Sequence, residues 1–278
     1  MPVVKRRVSR VACMLLAGAL SACAPAPEHS TPPSVGQWIW TRADLERYAE
    51  SAAAVPQLGA AVLIGSVQCD SGSGRLIARA GLSASSAHAE SVTAVIRFED
   101  GLLRCRVATA AKGRFAERID SVVHLLRERA RSASLNAVQL DYDAPQRSLG
   151  AWAATVAYLH AHALRDDSIW VTSIIAHLRE PEYGELFRDV VSGHVLQVFD
   201  TGEPATVAQV QEAVRLATRA HMPFRLGLGA FERETRAGRT DHRAWFATVP
   251  EFAAIDGYRG VWVFPAGRRW ISLLPRHT

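Results

Sequence analysis

Short runs of apolar residues alternate with longer amphipathic segments along most of the chain. Eight of these runs are rich in Val, Ile, Trp and Phe and are apolar on both faces; they span 35–41, 60–67, 91–98, 137–143, 168–175, 194–200, 224–231 and 260–266. Strands that are apolar on both faces are typical of a parallel sheet covered on both sides. The pattern therefore predicts eight buried parallel strands.

Helical periodicity fills most of the gaps between these runs, in the segments 41–55, 114–133, 148–164, 181–191 and 206–220. Ser148 and Thr206 stand where helix N-caps are expected, and Pro181 lies near a first turn. Strands alternating with helices over 35–278 predict an α/β fold, a single (β/α)₈ TIM-type barrel, since such barrels have about 250 residues. A doubly wound open sheet is the alternative, but no Gly-rich nucleotide-binding string follows any strand.

Two parts of the chain fit the barrel pattern less well. The crossover at 68–90 contains the sequence CDSGSGRLIARAGLSASS, which is a poor helix. The segment 232–259 is long and mixed in character, and we interpret it as an insertion near the barrel mouth.

The N-terminus has the features of an export signal. Residues 1–22 join a basic stretch to a short apolar one, which is too short for a stable membrane span. LSAC, ending at Cys23, resembles the lipobox of bacterial lipoproteins, which implies cleavage before Cys23 and a lipid on its thiol; an ordinary secretory signal is the alternative. The Pro-rich segment 23–34 then predicts a tether. We expect an exported lipoprotein of the cell envelope, at the outer membrane if the host is Gram-negative.

Charge and cysteine content narrow the possible partners. Four basic residues of the signal account for most of the net charge of +5, which leaves +1 on the rest of the chain. A nucleic-acid-binding domain needs clustered basic charge, so nucleic acid is not an expected partner. Cys69 and Cys105 are at no metal-binding spacing, and export would let them form a disulfide or remain as thiols. We expect no metal and no other cofactor.

The fourth run ends in an unusual set of polar residues, AVQLDYDAPQ at 137–146. Side chains alternate along a strand, so Gln139, Asp141 and Asp143 share one face, and Val138, Leu140 and Tyr142 share the other. In a (β/α)₈ barrel the functional residues lie at the C-terminal ends of the strands. The polar face is therefore predicted to point into the barrel mouth, where repulsion between two close carboxylates would favour protonation of one.

AVQLDYDAP resembles the fourth-strand motif of family 18 glycoside hydrolases, the chitinase-type barrels, whose pattern is roughly G-V-D-x-D-x-E-x-P. The resemblance places Gln139 at the first acid of that motif, Asp141 at the second and Asp143 at the glutamate that acts as general acid. Over most of the mature chain, the segments VQLDYDAPQRSLGAWAATVAYLH, IWVTSIIAHL and VLQVFDTG resemble domain-of-unknown-function family 3142. That family comprises exported bacterial proteins thought to be glycosidase-like barrels.

Two departures from the family 18 pattern bear on catalysis. Asp143 is one methylene shorter than glutamate, and a misplacement of about 1 Å can reduce a rate about 100-fold. Gln139 lacks the charge of the aspartate that it replaces. The chitinase mechanism, in which the substrate's own acetamido group attacks, therefore does not transfer directly to this chain.

Other candidate ligand-binding residues lie at predicted strand ends. Arg97 can bind an anionic sugar or form an ion pair with Asp141. Trp38 and Trp40 share a face, and either stack on sugar rings or belong to the core. Gln197 and Asp200 end the sixth run, where Asp200 can also cap a turn; Asp200 or Glu232 would supply a second carboxylate across the mouth.

Three functions follow from these observations. The first is a lipid-anchored glycoside hydrolase acting on envelope or exported polysaccharide, with Asp143 as general acid and Asp141 as its partner. The second is a non-catalytic protein that binds a glycan on the same barrel. The third is a structural envelope protein in which both aspartates cap strand ends.

Overall fold

The computed structural model describes residues 34–70, 72–105, 114–199, 205–235 and 238–275. The predicted signal, the tether, Cys23 and Asp200 lie outside these residues. No helix within the described ranges is long and apolar enough to span a membrane.

Eight parallel strands close into a barrel. The strands of the chain are Val35–Ile39 (β1), Gly59–Asp70 (β2), Arg75–Ala80 (β3), Val92–Phe98 (β4), Leu135–Asp141 (β5), Ile169–Ile174 (β6), Gly193–Gln197 (β7), Phe224–Gly229 (β8), Glu232–Thr235 (β9), Gly238–Asp241 (β10) and Tyr258–Phe264 (β11). The barrel order is β1, β2, β4, β5, β6, β7, β8 and β11, and β11 pairs with β1 to close it. The predicted (β/α)₈ fold is confirmed, and each of the eight predicted runs overlaps one barrel strand.

Helices cover the outside of the barrel. They are Arg42–Ala52 (α1), Arg114–Arg129 (α2), Leu149–Ala161 (α3), Ile175–Arg179 (α4), Tyr183–Phe187 (α5), Val207–Ala220 (α6) and Val249–Ala253 (α7). Thr41 and Thr206 cap α1 and α6 with side-chain hydrogen bonds to the third residue of each helix, which fixes where these helices begin. Ser148 is the N-cap residue of α3 but makes no capping bond there.

The two segments that fitted poorly have their own structure. In 68–90, β2 extends past the barrel and turns back as the antiparallel strand β3, followed by a short 3₁₀ helix at Ala84–Ala87. The disulfide Cys69–Cys105 links this extension to the loop after β4. In 232–259, the hairpin β9–β10 precedes a 3₁₀ helix, His242–Thr248, and α7.

Alternation along the strands separates two cores. Outward-facing residues pack under the helices, where Tyr142 of the β5 end lies 5.0 Å from Trp152 of α3 between ring centroids. Inward-facing residues form a smaller core that is unusually rich in aromatic rings: Trp38, Trp170, Phe199, Phe231 and Trp262, with Ala61, Val95, Ala137 and Val195. Val138, Leu140 and Tyr142 point outward, so the polar residues of β5 lie on its inner face.

Glycines make room for large rings at the base of this inner core. A Cβ atom at Gly36 would lie 2.8 Å from the Trp262 ring, and one at Gly193 would lie 2.7 Å from the Trp170 ring. Between these two rings lies Arg225, with its guanidinium carbon 3.9 Å from the Trp170 centroid and 4.9 Å from that of Trp262. The barrel interior is therefore packed at its base, and open space is found at the C-terminal ends of the strands.

Candidate active site

The inward face of β5 carries the polar residues toward the barrel mouth. Gln139 and Asp141 are fully buried inside the barrel, and Asp143 follows the strand with a side chain that is 25% exposed. The three residues therefore face the interior in turn, from the middle of the barrel to its opening. Only Asp143 borders the open pocket.

Asp141 is held by three donors from three neighbouring strands. Its Oδ1 accepts hydrogen bonds from Thr172 Oγ1 at 2.6 Å and from Gln197 Nε2 at 3.4 Å. Its Oδ2 accepts from Arg97 Nη1 at 2.8 Å. A buried carboxyl group that accepts this many hydrogen bonds is held in one orientation. Asp141 is therefore suited to anchoring the site and is not accessible to a ligand.

The contacts of Asp141 continue into the barrel through a chain of hydrogen bonds. Trp38 Nε1 donates to Gln139 Oε1 at 3.2 Å, and Gln139 Nε2 donates to Thr172 Oγ1 at 3.3 Å. Thr172 in turn donates to Asp141. Because each member is buried and bonded to the next, the chain fixes the orientation of the Asp141 carboxylate. Gln139 is thus a structural link in the described site rather than a group that lines the pocket.

Arg97 lies close to the carboxylates of Asp141, Asp143 and Glu99. It is the direct register partner of Asp141 on the adjacent strand β4. Its Nη2 lies 3.6 Å from Asp143 Oδ2, and its Nε lies 3.7 Å from Glu99 Oε2. Burial disfavours the charge of Arg97, but the carboxylates of Asp141, Asp143 and Glu99 outweigh this and raise the pKa of Arg97 above its usual value. The ion pair that the sequence offered as one alternative for Arg97 is present.

The pocket itself has a volume of about 150 Å³ and lies at the mouth. Its lining residues are Trp38, Trp40, Arg97, Asp143, Gln197, Phe199, Arg233 and Phe264. Drug-sized ligands occupy cavities of roughly 300–1,000 Å³, so this pocket suits a group about as large as one sugar ring.

One wall of the pocket is aromatic. The rings of Trp40 and Phe264 have centroids 5.2 Å apart, and Phe264 stacks with Phe199 at 6.0 Å. Arg97 lies over the Trp40 ring, 5.0 Å from its centroid. Trp38 is buried beneath as part of the inner core, while Trp40 is partly exposed. Of Trp38 on β1 and Trp40 directly after it, Trp40 is therefore the one that a ligand can reach.

The structure brings together most of the residues predicted for the site and adds others. Trp40, Arg97, Asp143 and Gln197 line one pocket, and Asp141 and Gln139 lie beneath it. Thr172, Glu99 and Arg233 were not predicted. Alternation along the run 168–175 would have placed Thr172 inward, but no sequence signal pointed to Glu99 or Arg233.

Of the two proposed second carboxylates, the structure describes Glu232. Asp200 lies outside the described residues. Glu232 forms ion pairs with Arg239 and Arg243 in the segment after β8 and is not among the pocket-lining residues. Within the described part of the chain, no group of three or more His, Cys, Asp or Glu side chains could hold a metal ion.

Comparisons with known proteins give a fold relationship only. No family model matches the chain, so membership of family 3142 stays a prediction. A search of curated proteins also finds no match.

Solved structures of similar fold include chitinases and a spore cortex-lytic enzyme, all at low sequence identity. A class V chitinase from Nicotiana tobaccum in complex with NAG4 is 10% identical, with a TM-score of 0.57 over 86% of this chain and 96% of that one. The spore cortex-lytic enzyme SleL of Bacillus megaterium is 12% identical, with a TM-score of 0.57 over 87% and 74%. A family 18 chitinase from Flavobacterium johnsoniae is 10% identical, with a TM-score of 0.52 over 84% and 88%. The chain therefore shares its (β/α)₈ barrel fold with these enzymes.

Proposed function

We propose that this protein is a lipid-anchored glycoside hydrolase that cleaves an amino-sugar-containing polysaccharide of the cell envelope or an exported polysaccharide. Asp143 is the general acid, and Asp141 is its electrostatic partner. Cys23 carries the lipid, and the segment 23–34 holds the barrel near the membrane. The substrate class is suggested by two proteins of similar fold, a chitinase solved with NAG4 and a cortex-lytic enzyme.

The observation that carries this proposal is that the two aspartates have different surroundings. Asp141 is fully buried and accepts bonds from three donors, whereas Asp143 borders an aromatic-walled pocket. A glycosidase needs a reachable carboxyl group beside a surface on which a sugar ring can pack. Asp143 and the ring of Trp40 provide these two features in one pocket.

The proposed chemistry begins with proton transfer. Asp143 gives its proton to the glycosidic oxygen as the bond from that oxygen to the anomeric carbon breaks, and the leaving sugar departs as an alcohol. A water molecule, or the substrate's own acetamido oxygen followed by water, attacks the anomeric carbon. The Asp143 carboxylate then takes up a proton from that water, which restores the acid. Asp141 contributes by holding Arg97 in place beside the reacting group.

A second function, glycan binding without cleavage, is favoured by a specific contact. A general acid must carry its proton, and the Arg97 guanidinium 3.6 Å from Asp143 opposes protonation of that carboxyl. The shorter side chain of Asp143 acts in the same direction, because it withdraws the carboxyl group from the pocket. On this alternative, Asp143 and Arg97 hydrogen-bond a sugar while it stacks on Trp40.

A substrate panel separates the two functions. The chain with Cys23→Ser is incubated with chitooligosaccharides, peptidoglycan fragments and bacterial exopolysaccharides, beside Asp143→Asn and Asp141→Asn. Cleavage by the parent chain that is lost in Asp143→Asn supports the hydrolase. Binding by the parent chain without cleavage contradicts the hydrolase and supports the alternative. The absence of both binding and cleavage contradicts the two functions together.

Labelling of growing cells tests the anchor. A fatty acid probe is expected to label the protein with Cys23 but not the Cys23→Ser variant. Equal labelling of both chains would contradict the proposed lipidation site.

A further inference from the structure

We propose that His177, a residue outside the pocket, is a positioning residue that sets the place of Asp143. As a neutral imidazole it donates a hydrogen bond to the carbonyl of Ala144 and is itself held by the amide of Ile174, and protonation would break the second of these bonds. The inference rests on the proposed function in taking Asp143 as the working group. It adds a residue and a pH dependence that the proposed function does not contain.

The backbone around Asp143 forms a tight turn. The amide of Ala144 donates to the carbonyl of Tyr142 at 2.9 Å, so Asp143 is the central residue of a three-residue turn. Its neighbours Tyr142 and Ala144 are both buried, at 2% exposure each. Because the turn is short, moving the carbonyl of Ala144 moves the Asp143 side chain with it.

His177 holds that carbonyl from the neighbouring helix α4. Its Nε2 lies 2.7 Å from Ala144 O, while its Nδ1 lies 3.4 Å from the amide nitrogen of Ile174, which donates to it. Since Nδ1 accepts, the ring proton must be on Nε2, and Nε2 donates to Ala144. One neutral tautomer therefore satisfies both bonds.

A protonated ring cannot make both bonds. An imidazolium ion carries a proton on each nitrogen, so the amide of Ile174 would lose its acceptor and face a like donor. His177 is only 2% exposed, and a charge there is poorly solvated. Burial lowers the pKa of His177 below its usual value, and the bond to Ala144 offsets part of this effect.

Among the described residues, the rings of Tyr183 and His194 beside His177 offer no compensating negative charge. Tyr183 of α5 stacks at 6.4 Å between ring centroids, and burial raises the pKa of its hydroxyl. His194 of β7 is buried and neutral, and its pKa is lowered by burial and further by His177.

The charged side chains around α4 are already engaged with one another. Arg179 pairs with Glu212 of α6, and Arg219 of α6 donates to the carbonyl of Leu178. Gln146 joins Glu180 and the carbonyl of Ala176, which adds an exposed second contact between the turn and α4. The buried contact is thus made by an imidazole, whose protonation would break its bond to the amide of Ile174.

The test uses the full chain carrying Cys23→Ser, which changes no described residue. NMR of the labelled protein follows the His177 ring and the backbone amides of Asp143 and Ala144 between pH 7.5 and 4.5. The proposal expects the Nε2-protonated tautomer at neutral pH. It expects the two amides to shift with the same midpoint as the ring, and that shared transition to be absent from His177→Gln.

His177→Gln and His177→Leu separate positioning from a merely structural role. The Gln amide nitrogen can donate to Ala144 in place of Nε2, whereas Leu removes the donor and retains the bulk. With chitotetraose as the probe, His177→Leu is expected to lose on the order of 10- to 100-fold in affinity or turnover, and His177→Gln to stay within about threefold of the parent. His124→Gln, an exposed histidine on α2, is the control and should change nothing.

Two results would overturn the proposal: amides of Asp143 and Ala144 that stay constant while His177 titrates, or His177→Leu signals at those amides that match the parent. Both readouts need no ligand. If the chain neither binds nor cleaves any sugar, the proposed function fails while the NMR result still decides the role of His177.

Discussion

Replacing each aspartate by asparagine should separate stability from function. Asp141→Asn removes the charge that binds Arg97 at 2.8 Å inside the barrel and weakens the bonds from Thr172 and Gln197. Breaking a buried ion pair costs about 3–5 kcal/mol, and a hydrogen bond to a charged group contributes about 1.5–3 kcal/mol. Arg97 is 26% exposed and keeps Glu99 and Asp143 as partners, which reduces the cost. We therefore expect Asp141→Asn to lower the free energy of unfolding by about 2–4 kcal/mol.

Asp143→Asn is the matched control. Its contact with Arg97 is longer, at 3.6 Å, and both side chains are about one quarter exposed, so the pair contributes little. We expect Asp143→Asn to change the free energy of unfolding by less than about 1 kcal/mol. Activity or sugar binding should nevertheless fall with Asp143→Asn, because Asp143 is the aspartate that borders the pocket.

Urea unfolding with the disulfide intact measures the difference. For a domain of this size the dependence of the unfolding free energy on urea is about 3 kcal/mol per molar, so Asp141→Asn should lower the midpoint by about 1 M. Asp143→Asn should stay within about 0.3 M of the parent. Equal midpoints for the two variants, or a larger loss for Asp143→Asn, would refute the assignment of Asp141 as anchor and Asp143 as working group.

Two further predictions concern the buried side chains of His194 and Arg225. Burial, and to a lesser degree His177, lowers the pKa of His194 to about 3, so the folded state excludes a proton that the unfolded state takes up below about pH 6.5. The free energy of unfolding is therefore highest above that pH and should fall by a few kcal/mol as the pH drops toward 3. The urea midpoint of His194→Asn should fall less steeply with decreasing pH than that of the parent chain. Equal pH dependence of the two midpoints would exclude His194 as the cause. Arg225 has two buried N–H groups without an acceptor among the described residues. Arg225→Met should therefore leave the free energy of unfolding unchanged or raise it by about 1 kcal/mol. The reason is that the unmet hydrogen bonds cost more than the stacking on Trp170 and Trp262 contributes. A loss above about 2 kcal/mol in thermal or urea unfolding would show that the guanidinium is satisfied.

The sequence predicted the barrel because its signal is local. Runs that are apolar on both faces specify buried parallel strands, and Thr41 and Thr206 mark where two helices begin. Alternation within AVQLDYD placed Gln139 and Asp141 inside the barrel from the residues alone. The crossover at 68–90 lacked helical periodicity, but nothing in its pattern specified that β2 would continue into a hairpin.

The roles of the site residues depended on contacts between distant strands. Asp141 and Asp143 look alike in the sequence, and only the closed barrel brings Arg97, Thr172 and Gln197 onto Asp141 while Asp143 reaches the pocket. The sequence does not reveal the contact of His177 with Ala144 either, since the two residues are 33 positions apart.

The sequence by itself thus determined where the eight barrel strands lie and that Gln139 and Asp141 face inward, because alternation is a property of the strand. The tertiary structure decided which of those side chains is buried, charged or reachable, because strand pairing and closure set those distances.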